Sequence, residues 1–245
     1  MEVSLYKIAS RRQFAGFTQD AIPNETTLPY FRHLLEKHLL THALFTAINE
    51  HLSNMELMLM QGTIVDATLI HSTGSTKNPQ DESDLDIHQT KKGKQWCYSK
   101  KVHIGVDADS GLVHHVIVPV PNVADVTMVD QLQHSKEIDA FGDAGFTGVC
   151  QRVEQRSWKV RRCLALKSGQ CKALTDFADE QRTCLVDTVN AKIRVKAEYP
   201  FRVNKQQSDY MKTHYQGLKR SAAQLMTLFG LANIWLTRGT LLMGG

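Results

Sequence analysis

Gly62-Thr63-Ile64-Val65-Asp66-Ala67-Thr68-Leu69-Ile70 is the stretch that decides the fold. Its β-branched residues predict a strand. One carboxylate, Asp66, interrupts the apolar run, and a half-buried Asp without a partner is costly. Either Asp66 faces solvent from an edge strand, or other groups meet it. Upstream, residues 26–60 place Leu34, Leu35, His38, Leu39, Leu44, Phe45, Ile48 and Leu52 at helical spacing. Thr26-Thr27 is the expected cap, with Pro29 delaying the start. Downstream, residues 71–95 are polar and turn-rich and predict a long loop. A loop of that length inside a compact domain is usually functional or mobile. Residues 101–120 predict a β-hairpin around Asp109-Ser110-Gly111. A short helix over Val126–Leu132 follows, then strands over Ile138–Asp143 and Trp158–Leu166. Helices over 174–207, interrupted by Pro200, and over 216–242 complete the chain. This order predicts an α/β domain with a mixed sheet over residues 61–245, preceded by a helical segment over 1–60.

The chain has 245 residues, of which 42% are hydrophobic and 22% charged, an ordinary globular composition. Disordered, collagen-like and coiled-coil classes are excluded. No apolar run approaches the ~18 residues that span a bilayer, and the start is not a signal peptide. No membrane partner is expected. Five cysteines at irregular spacings argue for reduced thiols in a cytoplasmic setting. Charge is unevenly distributed. Residues 1–149 carry 12 basic against 18 acidic side chains, while residues 150–220 carry 16 against 7. A basic segment in an otherwise acidic chain is either a polyanion-binding face or a solvated helical surface.

Asp143 closes a predicted strand, where Asp also serves routinely as a turn residue. Glu198 lies in the basic segment, with Arg194 four residues before it, Arg202 four after and Lys205 seven after. At helical spacing these four share a face. That pattern suits either a salt-bridge stripe or a site, and Pro200 argues against an ordinary stripe. Carboxylates on separate elements beside basic residues suit hard divalent cations such as Mg²⁺. Two such ions about 4 Å apart can stabilise the attacking and leaving oxygens of a phosphodiester displacement. Spacing alone does not choose these three from 25 acidic residues.

GTIVDATLI is followed, in fixed order, by STKN (75–78), HQTKKGKQW (88–96), KVHIGVDADSGLVH (101–114), FGDAGFTG (141–148), EYPFRVNK (198–205), YQGL (215–218) and LANIW (231–235). Together these closely resemble the Asp-Asp-Glu (DDE) transposases of bacterial insertion sequences, specifically the insertion-sequence-five group. Upstream, RRQFAGF and IPNETTLPYFRHLLEKH resemble the same group, and the likeness covers roughly residues 5–242.

The resemblance implies a ribonuclease-H-like fold, with a mixed sheet flanked by helices. Its catalytic carboxylates map to Asp66 on the first strand, Asp143 at the end of the fourth and Glu198 on a later helix. They are separated by 77 and 55 residues. The same three imply the ligand set for Mg²⁺ or Mn²⁺, expected as two ions. DNA contacts are implied at Arg194, Lys205 and Arg202, and Lys91, Lys92 and Lys94 either hold substrate or are solvated loop charge. The implied activity is cleavage at insertion-sequence ends and strand transfer into target DNA, by a homodimer on double-stranded terminal repeats near the nucleoid. Two other readings stay open: a non-catalytic DNA-binding relic, and a ribonuclease-H-like nuclease without strand transfer. The group's members carry more helical sequence upstream, so residues 1–60 read as a shortened N-terminal region. A Tyr common in the wider group is Ala191 here, and an apolar residue common before the Lys is Asn204.

Other chemistries find little support. There is no Cys-x-x-Cys, and GDAGFTG lacks the Gly-Lys-Ser/Thr end of a phosphate loop. His114 and His115 are expected on opposite faces of a strand.

Overall fold

The computed structural model describes residues 2–18, 22–72, 88–92, 95–120, 123–134, 136–146, 160–165, 177–213, 215 and 217–243. Helices α1 (Glu2–Lys7), α2 (Ala9–Phe14), α3 (Thr27–Lys37) and α4 (Leu40–Asn54) open the chain. The helix expected over 26–60 breaks at Leu39, which adopts a left-handed φ of 53°, and Met55–Gln61 is not helical. At the entry to α3, the side chain that accepts Thr27 N–H is Asn24, through Oδ1 at 2.9 Å, and not Thr26.

Six strands follow among the described residues: β1 (Gly62–His71), β2 (His88–Lys92), β3 (Gln95–Asp107), β4 (Val113–Ile117), β5 (Asp139–Gly142) and β6 (Arg161–Leu164). β1 is central, antiparallel to β3 and parallel to β5, and β6 runs parallel to β5. β2 and β4 pair with successive parts of β3. The sheet order is β2-β3-β1-β5-β6 with β4 beside β3. This is the expected mixed sheet.

Both faces are covered. Ile64, Val102, Ile104 and Phe141 join Phe45, Ala197, Phe201, Leu225 and Phe229 in the main core. Val65 packs with Met128, Val129, Leu132 and Phe146 in a second core. Adjacent residues of β1 thus serve different cores, because strand side chains alternate.

Several boundaries differ from the sequence reading. The loop expected over 71–95 contains β2 and the start of β3. Backbone pairing of 88–92 with 95–99 builds this ribbon without the apolar anchors that sequence patterning relies on. Residues 73–87 and 93–94 lie outside those described. The hairpin forms as expected, with Gly111 at φ 78°. Asp107 anchors its turn: Oδ2 accepts from Ser110 N at 2.9 Å and Oγ at 2.6 Å, and Oδ1 accepts from Met60 N at 2.9 Å. The helix over Val126–Leu132 is a 3₁₀ turn (Asp125–Thr127) and α5 (Val129–Leu132). The strands over 138–143 and 158–166 are shorter, and Trp158 lies outside the described residues.

β4 carries a bulge. Register shifts between Gly105 and Val106, which pair with His115 and Val113, leaving His114 as the extra residue. The two imidazoles therefore do not diverge as expected. They meet, with Nδ1 atoms 2.7 Å apart.

The helical stretch after residue 174 has four parts. α6 (Phe177–Arg194) ends in a 3₁₀ turn (Val195–Ala197); α7 (Glu198–Arg202) follows and runs into a π turn (Val203–Gln207). α8 (Leu218–Met243) is, among the described residues, the one helix long and apolar enough to cross a membrane, against the expectation of none. It packs on α4 and β4 and buries Leu225, Phe229 and Ala232. Asn233 stitches these elements: Oδ1 accepts from Val113 N at 2.9 Å, and Nδ2 donates to Val113 O at 2.7 Å and Asn49 Oδ1 at 2.8 Å.

In the π turn, Asn204 is 3% exposed, and neither its Oδ1 nor its Nδ2 has a hydrogen-bond partner among the described residues. Burying an unsatisfied amide costs about 1–3 kcal/mol. Asn204→Leu, of similar shape, is therefore expected to stabilise the fold by about 1–2 kcal/mol. A higher urea midpoint at unchanged slope is the expected readout, and a lower midpoint would contradict it.

Candidate active site

Asp66 lies on β1, the sheet's central strand, so the solvent-facing edge position is ruled out. It is half-buried, and its Oδ1 accepts from Ala67 N at 2.7 Å. Asp143 follows the last residue of β5 directly, the fifth strand in chain order because β2 is inserted. It also serves the turn, with Oδ1 accepting from Gly145 N at 2.8 Å. Parallel pairing of β1 and β5 (Ile64 with Phe141, Val65 with Gly142) brings both Asp residues to the same end of neighbouring strands. Glu198 is the first residue of α7, after the 3₁₀ turn that redirects the chain from α6.

These elements close around one cleft of about 380 Å³. Its lining is Ile64, Val65, Asp66, Asp143, Ala191, Arg194, Val195 and Glu198. Three carboxylates and an arginine from distant parts of the chain thus converge. Arg194 reaches across to the strand ends, where Nη1 lies 3.5 Å from Gly142 O.

The remaining cationic residues divide. Lys205 Nζ donates to Thr68 Oγ1 at 2.7 Å. Thr68 is two residues from Asp66 and shares its side of β1, so Lys205 is held on the Asp66 side of the sheet, just outside the residues that line the cleft. Sequence reasoning passed over Thr68, although its alternation with Asp66 was available. Arg202 is exposed, is bound to Gln206 Oε1 at 3.0 Å, and does not line the cleft. The single face expected for 194, 198, 202 and 205 is broken up by the 3₁₀ and π turns, whose residues per turn differ from 3.6. Lys91 and Lys92 lie on β2, and Lys94 is outside the described residues.

The electrostatics fit a cation-seeking site. Burial pushes the Asp66 carboxyl up to about 6, with Asp143 and Glu198 adding to the rise and Ala67 N–H and Arg194 opposing it. Three hard oxygen donors in one cleft suit Mg²⁺ or Mn²⁺. Among the described residues, no three His, Cys, Asp or Glu side chains stand close enough to hold a metal ion as placed. The donor chemistry fits the ion, and the spacing is wider than coordination.

The shifted Asp66 makes stability depend on pH. Its folded value of about 6 exceeds the ordinary 3.8, so the fold favours the proton. The stabilisation is complete below pH 3.8 and is lost as pH rises through about 6. Asp66→Asn is expected to stabilise the protein by about 2 kcal/mol at pH 8 and by little at pH 4. Urea unfolding at both pH values checks this, and an equal effect at each would refute it.

The mixed sheet thus gathers acidic residues where the neighbouring parallel strands β1 and β5 run toward the same end. Residues 58–234 match the family described as Transposase DDE domain. That is more than half of the chain, and the chain belongs to this family. The mixed sheet with flanking helices agrees with its ribonuclease-H-like fold. No solved structure matches the chain.

Proposed function

We propose that this protein is an insertion-sequence transposase of the insertion-sequence-five group. It cuts DNA at the element's ends and joins the freed 3′-hydroxyl to target DNA. The observation that carries the reading is the convergence of Asp66, Asp143, Glu198 and Arg194 on one cleft of a DDE-family fold.

In this reading Asp66, Asp143 and Glu198 hold two Mg²⁺ or Mn²⁺ ions. Bound divalent cations would activate the attacking oxygen and offset charge on the leaving one. The chain's own part is positional. Rigid β1 and β5 fix two carboxylates, and the turn before α7 brings in the third. Arg194 and Lys205 bind DNA phosphates beside the scissile bond, and Arg202, Lys91, Lys92 and Lys94 supply further phosphate contacts. Phosphate contacts supply affinity and register, not sequence reading. Residues 61–245 form the catalytic domain. Residues 1–60 are its helical N-terminal region, braced by α4, whose Phe45 enters the main core. The protein acts as a homodimer on terminal inverted repeats, in the cytoplasm at the nucleoid.

A second reading, a DNA-binding relic, is favoured by one observation: no described trio of ligands stands at metal spacing. The test is incubation of the protein with labelled terminal-repeat duplex and plasmid target, with Mg²⁺ or EDTA. Mg²⁺-dependent cutting and joined product are expected. Cutting without joining would identify a nuclease. Binding without cutting in Mg²⁺ or Mn²⁺ would establish the relic.

A further inference from the structure

We infer that Lys196 is a positioning residue that sets Glu198 at the cleft, by clamping the turn between α6 and α7 to the β3–β4 turn. This rests on the reading of Glu198 as a catalytic carboxylate.

Lys196 Nζ donates to Ala108 O at 2.8 Å and to Asp109 O at 3.0 Å. Ala108 N in turn donates to Gly62 O at 2.8 Å, at the start of β1. A short bonded path therefore runs from the residue two before Glu198 to the strand that carries Asp66. Asp107 stiffens the far end of this path through its bonds to Ser110 and Met60.

The joint needs such a clamp. In a regular helix the Lys196 carbonyl would accept from the N–H of residue 200. That residue is Pro200, which has no N–H. The backbone at the joint is accordingly 3₁₀ over Val195–Ala197. With that helical bond missing, tertiary anchors must fix the direction in which α7 leaves. Ala197 and Phe201, both buried in the main core, anchor one side of the joint, and the Lys196 ammonium anchors it to the β3–β4 turn. Because Nζ is committed to two carbonyls, Lys196 acts differently from Arg194, which lines the cleft, and Lys205, which is held just outside it. Its distance from the chemistry is no protection: a misplacement of about 1 Å can cost ~10²-fold in rate.

The test compares wild type, Lys196→Met and Lys196→Arg. Met keeps the length of the stem and removes the charge, while Arg restores a donor. Three measurements are made: affinity for terminal-repeat DNA, the cleavage rate at saturating DNA with Mg²⁺, and amide hydrogen exchange. Lys196→Met is expected to bind DNA like wild type and to cleave about 10–100-fold more slowly. Amides of residues 195–199 should exchange at least about tenfold faster, with α8 unchanged. Lys196→Arg should recover most of the rate. Wild-type cleavage by Lys196→Met, or unchanged exchange over 195–199, would overturn the proposal. If Lys196→Met does not fold, Lys196→Gln, whose shorter neutral side chain removes the charge and the reach to both carbonyls, carries the same comparisons. If wild type itself does not cleave, the functional reading fails, and the exchange data alone decide whether the clamp exists.

Discussion

Alanine at Asp66, Asp143 or Glu198 is expected to reduce Mg²⁺-dependent cleavage of terminal-repeat DNA at least about 10³-fold. All three line one cleft, and Asp66 senses the charge of the other two. Losing one carboxylate from a shared cation site removes more than a third of its function, because the remaining pair must hold the same charge. Double substitutions should therefore cost little beyond single ones, as for residues that act as a unit. DNA binding should persist in all of them, since the proposed function assigns phosphate affinity to Arg194, Lys205 and their neighbours. Its steep salt dependence would identify it as ionic. Any single variant that cleaves within tenfold of wild type would remove that residue from the assignment.

Gly105→Ala is expected to destabilise the fold by at least about 3 kcal/mol. A Cβ at Gly105 would overlap the Leu132 carbonyl oxygen and come 2.8 Å from His114 Cε1. Neither neighbour has room to yield. Leu132 is fully buried at the end of α5, and His114 is 7% exposed. The His114 ring is also bound on both sides: Nε2 lies 3.2 Å from Thr63 Oγ1, and Nδ1 lies 2.7 Å from His115 Nδ1. Thr63 Oγ1 also donates to Glu137 Oε1 at 3.1 Å, so displacing His114 would disturb β1 as well. A lower urea midpoint is the measurement. A loss below 1 kcal/mol would show that the bulge can relax away from the added methyl.

Much of this was legible before any coordinates. β1, the β3–β4 hairpin and β5 were readable because β-branched runs and an Asp-Ser-Gly turn are local signals. The proposed site residues are readable only through ordered motifs: taken singly, Asp66 leaves an edge position open, Asp143 a turn and Glu198 a salt-bridge stripe that Pro200 argues against. What escaped was non-local. β2 has no apolar pattern, because a two-stranded ribbon is held by backbone pairing. The His114 bulge depends on where β4 registers against Gly105, which strand alternation cannot foresee. The Asn49–Asn233 stitch joins residues 184 apart in sequence. The pattern on 194–205 was read at 3.6 residues per turn, while the chain there changes helix type twice.

Asp66 has an evolutionary side. The most deeply built strand of the sheet carries a carboxylate that the fold would rather see neutral. Asn is one base change from Asp, and at neutral pH that change trades chemistry for a firmer protein. A copy of this element freed from selection for movement would thus meet a downhill first step at the site itself. Loss of the proposed activity by that one change would leave a firmer fold with the Arg194 and Lys205 cations still in place.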